Sequence, residues 1–315
     1  MKLSRIWILV SFIFISACGS SQQSPENPNI VSQGPTTPAV QPGNFNKSIT
    51  VGGVERKFLY HVPNGYDGSK PLPLVVLFHG MGKNAKDMIE GTGMIAKSNE
   101  SHFIVASLQG TGEPAGWNSG FLPNGNTSDD IAFTRAAVQQ IQGDLNIDSK
   151  RIYAAGFSNG AFFVHRVAAE LPDVFAAVAV VEGTIGVVQD DGTKLMVTEP
   201  KAPISILLIH GKKDAVVPHR GGLSDGPSHL NMLSVEEALQ IWTVADGCSV
   251  VQPELKSLPG DAGQFGVFQP CTSGSEVALL ELDNGVHEWP TLTNAANVSG
   301  TDLIVNFFAK HPKAN

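Results

Sequence analysis

The sequence predicts an α/β fold built on a mostly parallel, doubly wound sheet with a leading antiparallel hairpin. Three observations carry that expectation. Leu74–Phe78, Phe103–Leu108, Phe175–Val181 and Ile204–Ile209 are short apolar runs, the pattern of strands buried on both faces. Stretches of helical character separate them, as connections between parallel strands require. A glycine-flanked serine, Gly156-Phe157-Ser158-Asn159-Gly160, joins the run Arg151–Ala155 to the helical stretch Ala161–Leu171. The 315 residues, 42% hydrophobic and 16% charged, suffice for one large α/β domain or two small ones. No period of about 20–50 residues recurs, which argues against a solenoid or propeller.

The N-terminus reads as a targeting segment. Lys2 and Arg5 precede an apolar stretch from Ile6 to Ile15, too short for a comfortable membrane span. Ile15-Ser16-Ala17-Cys18 resembles a bacterial lipobox. That resemblance implies a signal peptide over residues 1–17, cleavage before Cys18 and lipidation of Cys18, with two or three acyl chains giving a stable anchor. An ordinary signal peptide with a coincidental cysteine is the alternative. Gly19, rather than an acid, follows the cysteine, which in a Gram-negative cell resembles sorting to the outer membrane. Residues 18–46 hold almost no large apolar side chains and read as a disordered tether reaching roughly 30 Å. A net charge of −8 without a Lys/Arg cluster argues against nucleic-acid binding, since phosphate contacts supply most of that affinity.

Residues 47–315 read as the globular domain. Ser48–Val51 and Arg56–Val62 alternate around Gly52-Gly53 and predict the hairpin. Leu74–Phe78 is a central strand, Asp87–Lys97 a helix and Phe103–Leu108 the next strand. Gln109–Thr127, rich in Gly, Pro and Asn, reads as a long functional loop. Ser128-Asp129-Asp130 then caps a helix running to about Leu145, its early acids matching the helix dipole. Strand 151–155, its helix and strand 175–181 follow. Residues 183–201 read as an insertion or lid. Strand 204–209 and helix 235–246 come next. Residues 250–258 and 264–269 are edge pieces, 276–282 is the last strand and 301–310 the closing helix. Cys248 and Cys271 remain once Cys18 is assigned to lipid, and in an exported protein the pair suggests a disulfide over two free thiols.

The Gly156–Gly160 pentapeptide has the context of a nucleophile elbow: strand before, helix after, small residues two positions to either side of Ser158. A nucleophilic serine needs a base, and the base an orienting acid. Asp214, just past the apolar run ending at Ile209, is the candidate acid, and the carboxyl ends of strands are where open α/β sheets place their sites. Asp190, Asp191 and Asp283 are its rivals. His287, in the glycine-containing loop after the final strand, is the candidate base, with His219, His229 and His311 in weaker contexts. The oxyanion of an acyl-transfer intermediate needs fixed N–H donors. The backbone amides of Asn159 and of Met81, in Phe78-His79-Gly80-Met81-Gly82, are the candidates, with His79 steadying that loop. Trp117, Phe157 and Trp289 stand either as substrate-stacking faces or as core. The sequence carries no paired Cys/His spacing for zinc, no Walker loop and no dinucleotide fingerprint, so neither metal nor cofactor is expected.

Gly156–Gly160, the His79-Gly80 loop, His210-Gly211 with Asp214 and Val217-Pro218, and Gly285 with His287-Glu288-Trp289-Pro290 together resemble the feruloyl esterases and polyhydroxybutyrate depolymerases. The Trp117-Asn118 loop, Asp129-Asp130 and the spacing of Cys248 and Cys271 resemble them too. That resemblance covers roughly residues 47–311. It implies the α/β-hydrolase fold, no cofactor, and serine hydrolysis of a hydroxycinnamoyl or other aromatic ester on plant polysaccharide. A polyester such as polyhydroxybutyrate is the alternative substrate. Met81-Gly82-Lys83 departs from the Cys or Leu followed by Thr-Gln that many members carry, an altered oxyanion rim. A serine peptidase on the same scaffold, or a surface lipoprotein binding polysaccharide without catalysis, are the competing classes. The lack of a propeller-like partner domain and the complete Ser, Asp, His order weigh against them.

Overall fold

The computed structural model describes residues 41–122, 126–249 and 253–313. The signal peptide, Cys18 and the tether as far as residue 40 lie outside the described residues. β1 (Gly43–Val51) and β2 (Val54–Val62) form the antiparallel hairpin, with Gly52 and Gly53 both at positive φ in the turn. β1 begins at Gly43, inside the stretch assigned to the tether. Phe45 accounts for this: its ring stacks on Tyr60 at 5.3 Å, which gives those residues a core to join.

The parallel strands follow. They are β3 (Leu72–Phe78), β4 (Ile104–Leu108), β5 (Ile147–Phe157) and β6 (Ala177–Val181). Short β7 (Gly186–Val188) and β8 (Lys194–Met196) precede β9 (Ser205–Gly211). β10 (Gly222–Leu223), β11 (Asn231–Met232), β12 (Lys256–Ser257), β13 (Gly263–Phe268) and β14 (Val277–Leu282) complete the set. The main sheet has the order β1-β2-β4-β3-β5-β6-β9-β14-β13-β12. Its interior from β4 to β14 is parallel, while β2 on one side and β13 and β12 on the other are antiparallel. The stretch read as an insertion or lid carries β7 and β8, which join β11 and β10 in a small antiparallel sheet apart from the main one.

Period-two alternation sorts the strand residues into two cores. Leu74, Val76 and Phe78 face one side with Ala154, Val178 and Ile206; Val75 and Leu77 face the other with Tyr153, Ala179 and Leu207. The first side is covered by α3 (Asp130–Asp144), α4 (Asn159–Glu170) and α5 (Val235–Ala245), through Phe133, Phe163 and Trp242. The second is covered by α1 (Ala85–Gly91), α2 (Met94–Ser101) and α6 (Gly300–Lys310), through Ile89, Met94, Phe307 and Phe308. The single helix expected over 87–97 is two, because Gly93 turns left-handed at φ 73° between them. Cys248 and Cys271 form a disulfide that ties the end of α5 to the β13–β14 connection. Among the described residues, no helix is long and apolar enough to cross a membrane.

Candidate active site

Every residue of the site stands on the carboxyl-terminal rim of the parallel strands. His79 to Met81 follow β3, Ser158 follows β5, Asp214 follows β9 and His287 follows β14. Ser158 sits at φ 55°, ψ −123°, a strained backbone that its surroundings enforce. Its N–H donates to Val181 O, and its carbonyl accepts from Phe162 N–H at the start of α4. The two outer glycines are dictated by space. A Cβ on Gly160 would lie 2.1 Å from Phe78 O, and one on Gly156 would lie 2.4 Å from Gly160 O. The turn therefore closes only when both positions lack a side chain.

Three side chains far apart in sequence converge there. His287 Nε2 lies 2.9 Å from Ser158 Oγ, and His287 Nδ1 lies 2.7 Å from Asp214 Oδ2. Oδ1 of Asp214 accepts from the N–H groups of Val216 and Val217, each at 2.8 Å. Burial raises the Asp214 pKa, but the hydrogen bond and charge of His287 outweigh it and hold the carboxyl below its ordinary value. Asp214 is buried while His287 and Ser158 are partly exposed, so the imidazole spans from the core to the surface. The acid and base loops meet backbone to backbone: Lys213 N–H donates to Gly285 O, and a Cβ on Gly211 would lie 2.3 Å from the Gly285 carbonyl carbon. The rival residues lie elsewhere in the network. His219 pairs with Glu281, His311 with Glu276, and Asp283 with Lys212.

The loop after β3 is held by His79. Its Nδ1–H donates to Gly80 O, and its Nε2 accepts from Gly110 N–H, each at 2.9 Å. Burial pushes the pKa of this histidine down, which favours that neutral tautomer. Gly80 packs against Ser158, since a Cβ there would lie 3.3 Å from the serine Cβ. Neither the Met81 nor the Asn159 backbone N–H donates to another group among the described residues. The Asn159 side chain acts separately from its backbone. Its Oδ1 accepts from Trp117 N–H at 2.7 Å and ties the 109–122 loop to the elbow.

The aromatic candidates separate. Trp117 is fully buried, donates its indole N–H to His79 O and stacks on Phe163 at 5.4 Å. It presents no face to a substrate, and its place in the site is as a support for the β3 loop. Trp289 is likewise buried and donates to Thr301 Oγ1, so the stacking role fits neither tryptophan. Phe157 is half-exposed with its ring 5.0 Å from the His287 ring, on the open side of the site.

The sequence alone does not single out Glu182. It follows β6, is fully buried at φ 50°, and accepts the Gly211 N–H with both oxygens, at 3.0 and 3.1 Å. The signal that could have found it is an acid directly after a wholly apolar strand, Ala177–Val181. Glu182, His210 and Asp214 bring ligand-type atoms within 4.8 Å of one another. They do not fit a metal ion, because His210 Nε2–H donates to Val217 O at 2.8 Å and Asp214 serves His287.

Comparison with known proteins agrees with this geometry. Residues 57–192 match the family model described as esterase PHB depolymerase. Feruloyl esterase C of Emericella nidulans is 31% identical over 211 residues, which cover 62% of this chain and 72% of that protein. The chain belongs to the esterase/PHB depolymerase family of α/β-hydrolases. Feruloyl esterase B of Piromyces equi is 30% identical over 236 residues, 74% of this chain but 42% of the longer relative. Acetyl xylan esterase from Aspergillus awamori superposes with a TM-score of 0.59 over 84% of this chain and 99% of that one; at 15% identity it speaks to the fold alone.

Proposed function

We propose that the protein hydrolyses hydroxycinnamoyl or similar aromatic esters through an acyl-enzyme on Ser158. The observation that carries this reading is the single imidazole bridging Ser158 Oγ and Asp214 Oδ2. His287 Nε2 takes the hydroxyl proton as Oγ attacks the ester carbonyl, and Asp214 holds the imidazole in the tautomer with its free lone pair on Nε2. The Met81 and Asn159 amides hold the oxyanion, aided by the N-terminus of α4. The imidazolium then protonates the departing alkoxide. Water, deprotonated by His287, attacks the acyl-enzyme, and the carboxylic acid leaves as Ser158 regains its proton. Half-exposed Phe157 and the exposed side chains of Met81 and Val286 give the rim an apolar character suited to an aromatic acyl group. The names of the relatives, feruloyl esterases B and C, support that substrate class.

The matched family model favours a second reading, a polyester of the polyhydroxybutyrate type. A side-by-side assay on methyl ferulate, hydroxybutyrate oligomers and p-nitrophenyl acetate separates the two. The first reading expects methyl ferulate to give the highest kcat/KM, and preference for the oligomers would replace it with the second. Ser158→Ala is expected to lose hydrolysis of all three with the fold intact. Unchanged turnover in that variant refutes the mechanism.

The motif ending at Cys18 supports attachment to the cell envelope by lipid on that residue, with the enzyme on a tether. Full-length protein produced in a bacterium fed radiolabelled palmitate should carry label that Cys18→Ser loses. Unlabelled protein would exclude the anchor.

A further inference from the structure

Glu182 and Asp214 bring carboxyl oxygens within 4.8 Å of each other away from solvent, each side chain showing no exposure. Two carboxyls this close and this buried do not both ionise, so one of the pair carries a proton. The partners decide which. Asp214 accepts from the His287 ring and from two backbone N–H groups, whereas the Glu182 oxygens share one, from Gly211. Three donors hold Asp214 as the carboxylate, and Glu182 is left as the acid. The other ionisable groups around the pair agree. His210, from β9, lies 3.4 Å from Glu182 Oε2 and 3.6 Å from Asp214 Oδ2, but its Nε2–H is committed to Val217 O, and burial lowers its pKa to about 4. Glu288, from the loop after β14, adds negative charge and disfavours a second anion, while His219 and His287 flank His210. Burial first, and then the Asp214 carboxylate beside it, push the Glu182 carboxyl well above its ordinary value.

We propose that Glu182 is a positioning residue for the triad: as a neutral carboxylic acid it donates its O–H to the Asp214 carboxylate and keeps that group ionised and aimed at His287. This rests on the triad reading above. A carboxylate anchored by Val216, Val217 and Glu182 has little freedom to turn from the imidazole, and such second partners fix the geometry that acyl transfer needs. The strained φ of Glu182 is consistent with a side chain held in place for that role.

Two substitutions in the full chain test the proposal. Glu182→Gln keeps a neutral donor toward Asp214 and an acceptor for Gly211 N–H. Its kcat should stay within about threefold of the parent, and the acid limb of its kcat/KM profile should not move. Glu182→Met removes the donor at similar volume, and its kcat should fall about tenfold or more with KM within about twofold. An acid limb in the Gln variant lowered by about one pH unit would mean that a negative charge had been removed, and would overturn the proposal. So would a folded Met variant with parental kcat. Difference infrared spectroscopy without substrate gives an independent reading: a protonated-carboxyl carbonyl band at neutral pH should be present in the parent and lost in Glu182→Gln. Absence of that band overturns the proposal whether or not the Met variant folds. Because the band is read without turnover, failure here stays distinct from failure of the triad, which hydrolysis by Ser158→Ala would expose.

Discussion

Ser158 and Asp246 illustrate two ways in which one residue is set against its surroundings. At Ser158 the strain is local and confined by glycines, and its result is a hydroxyl lifted clear of the sheet toward His287. At Asp246 the conflict is electrostatic. Its carboxyl is buried at the C-terminal end of α5, where the helix dipole disfavours an anion, and Oδ1 accepts from Ile204 N–H at 3.3 Å. Burial raises its pKa from 3.8 to about 6. The folded chain therefore holds that proton more tightly than the unfolded chain does. The stabilisation is complete below about pH 4 and is lost as the pH rises through 6. Asp246→Asn keeps the acceptor and removes the charge, so it should stabilise the protein by about 1–3 kcal/mol at pH 8 and by little at pH 4. Thermal melts of both proteins at the two pH values check this; a variant that melts lower than the parent at pH 8 contradicts it.

At the scale of elements, the site depends on how closely β9 and β14 bring their trailing loops together. Gly211 ends β9 against Gly285, and Asp214 and His287 lie three and two residues beyond these glycines. Gly211→Ala should push the loops apart and lower kcat at least about tenfold, since small misplacements of reacting groups are costly. Steady-state kinetics on p-nitrophenyl acetate, with a thermal melt as control, would show this; a folded variant with parental kcat would show that the close approach is dispensable. The sequence made the loops themselves visible, because the apolar runs 204–209 and 276–282 mark where each strand ends. It did not reveal the glycine contact, which exists only once the parallel pairing of β9 and β14 is known. The break at Gly93 did have a local signal, since Gly91-Thr92-Gly93 sets two glycines inside the segment read as one helix.

Across the whole molecule, the parallel sheet and the Ser, Asp, His order were legible because both depend on local patterns: buried strands read as apolar runs, and an elbow needs its glycines. What stayed illegible depends on tertiary neighbours. Trp117 sits in a loop rich in Gly and Asn, where an exposed aromatic face is a fair expectation, yet Phe78, Phe163 and the carbonyl of His79 enclose it. Glu182 is a lone acid in sequence and acquires meaning only beside Asp214. The leading hairpin reached back to Gly43 because Phe45 found Tyr60 across the turn. The claim that joins all these parts is that Ser158, Asp214 and His287 act as one unit on the rim of the sheet. Labelling the protein with a fluorophosphonate and locating the adduct by mass spectrometry tests it most directly. A single adduct on Ser158, formed far more slowly in His287→Ala, is the expected result. An adduct on another residue, or labelling of Ser158 at the same rate without the imidazole, would contradict it.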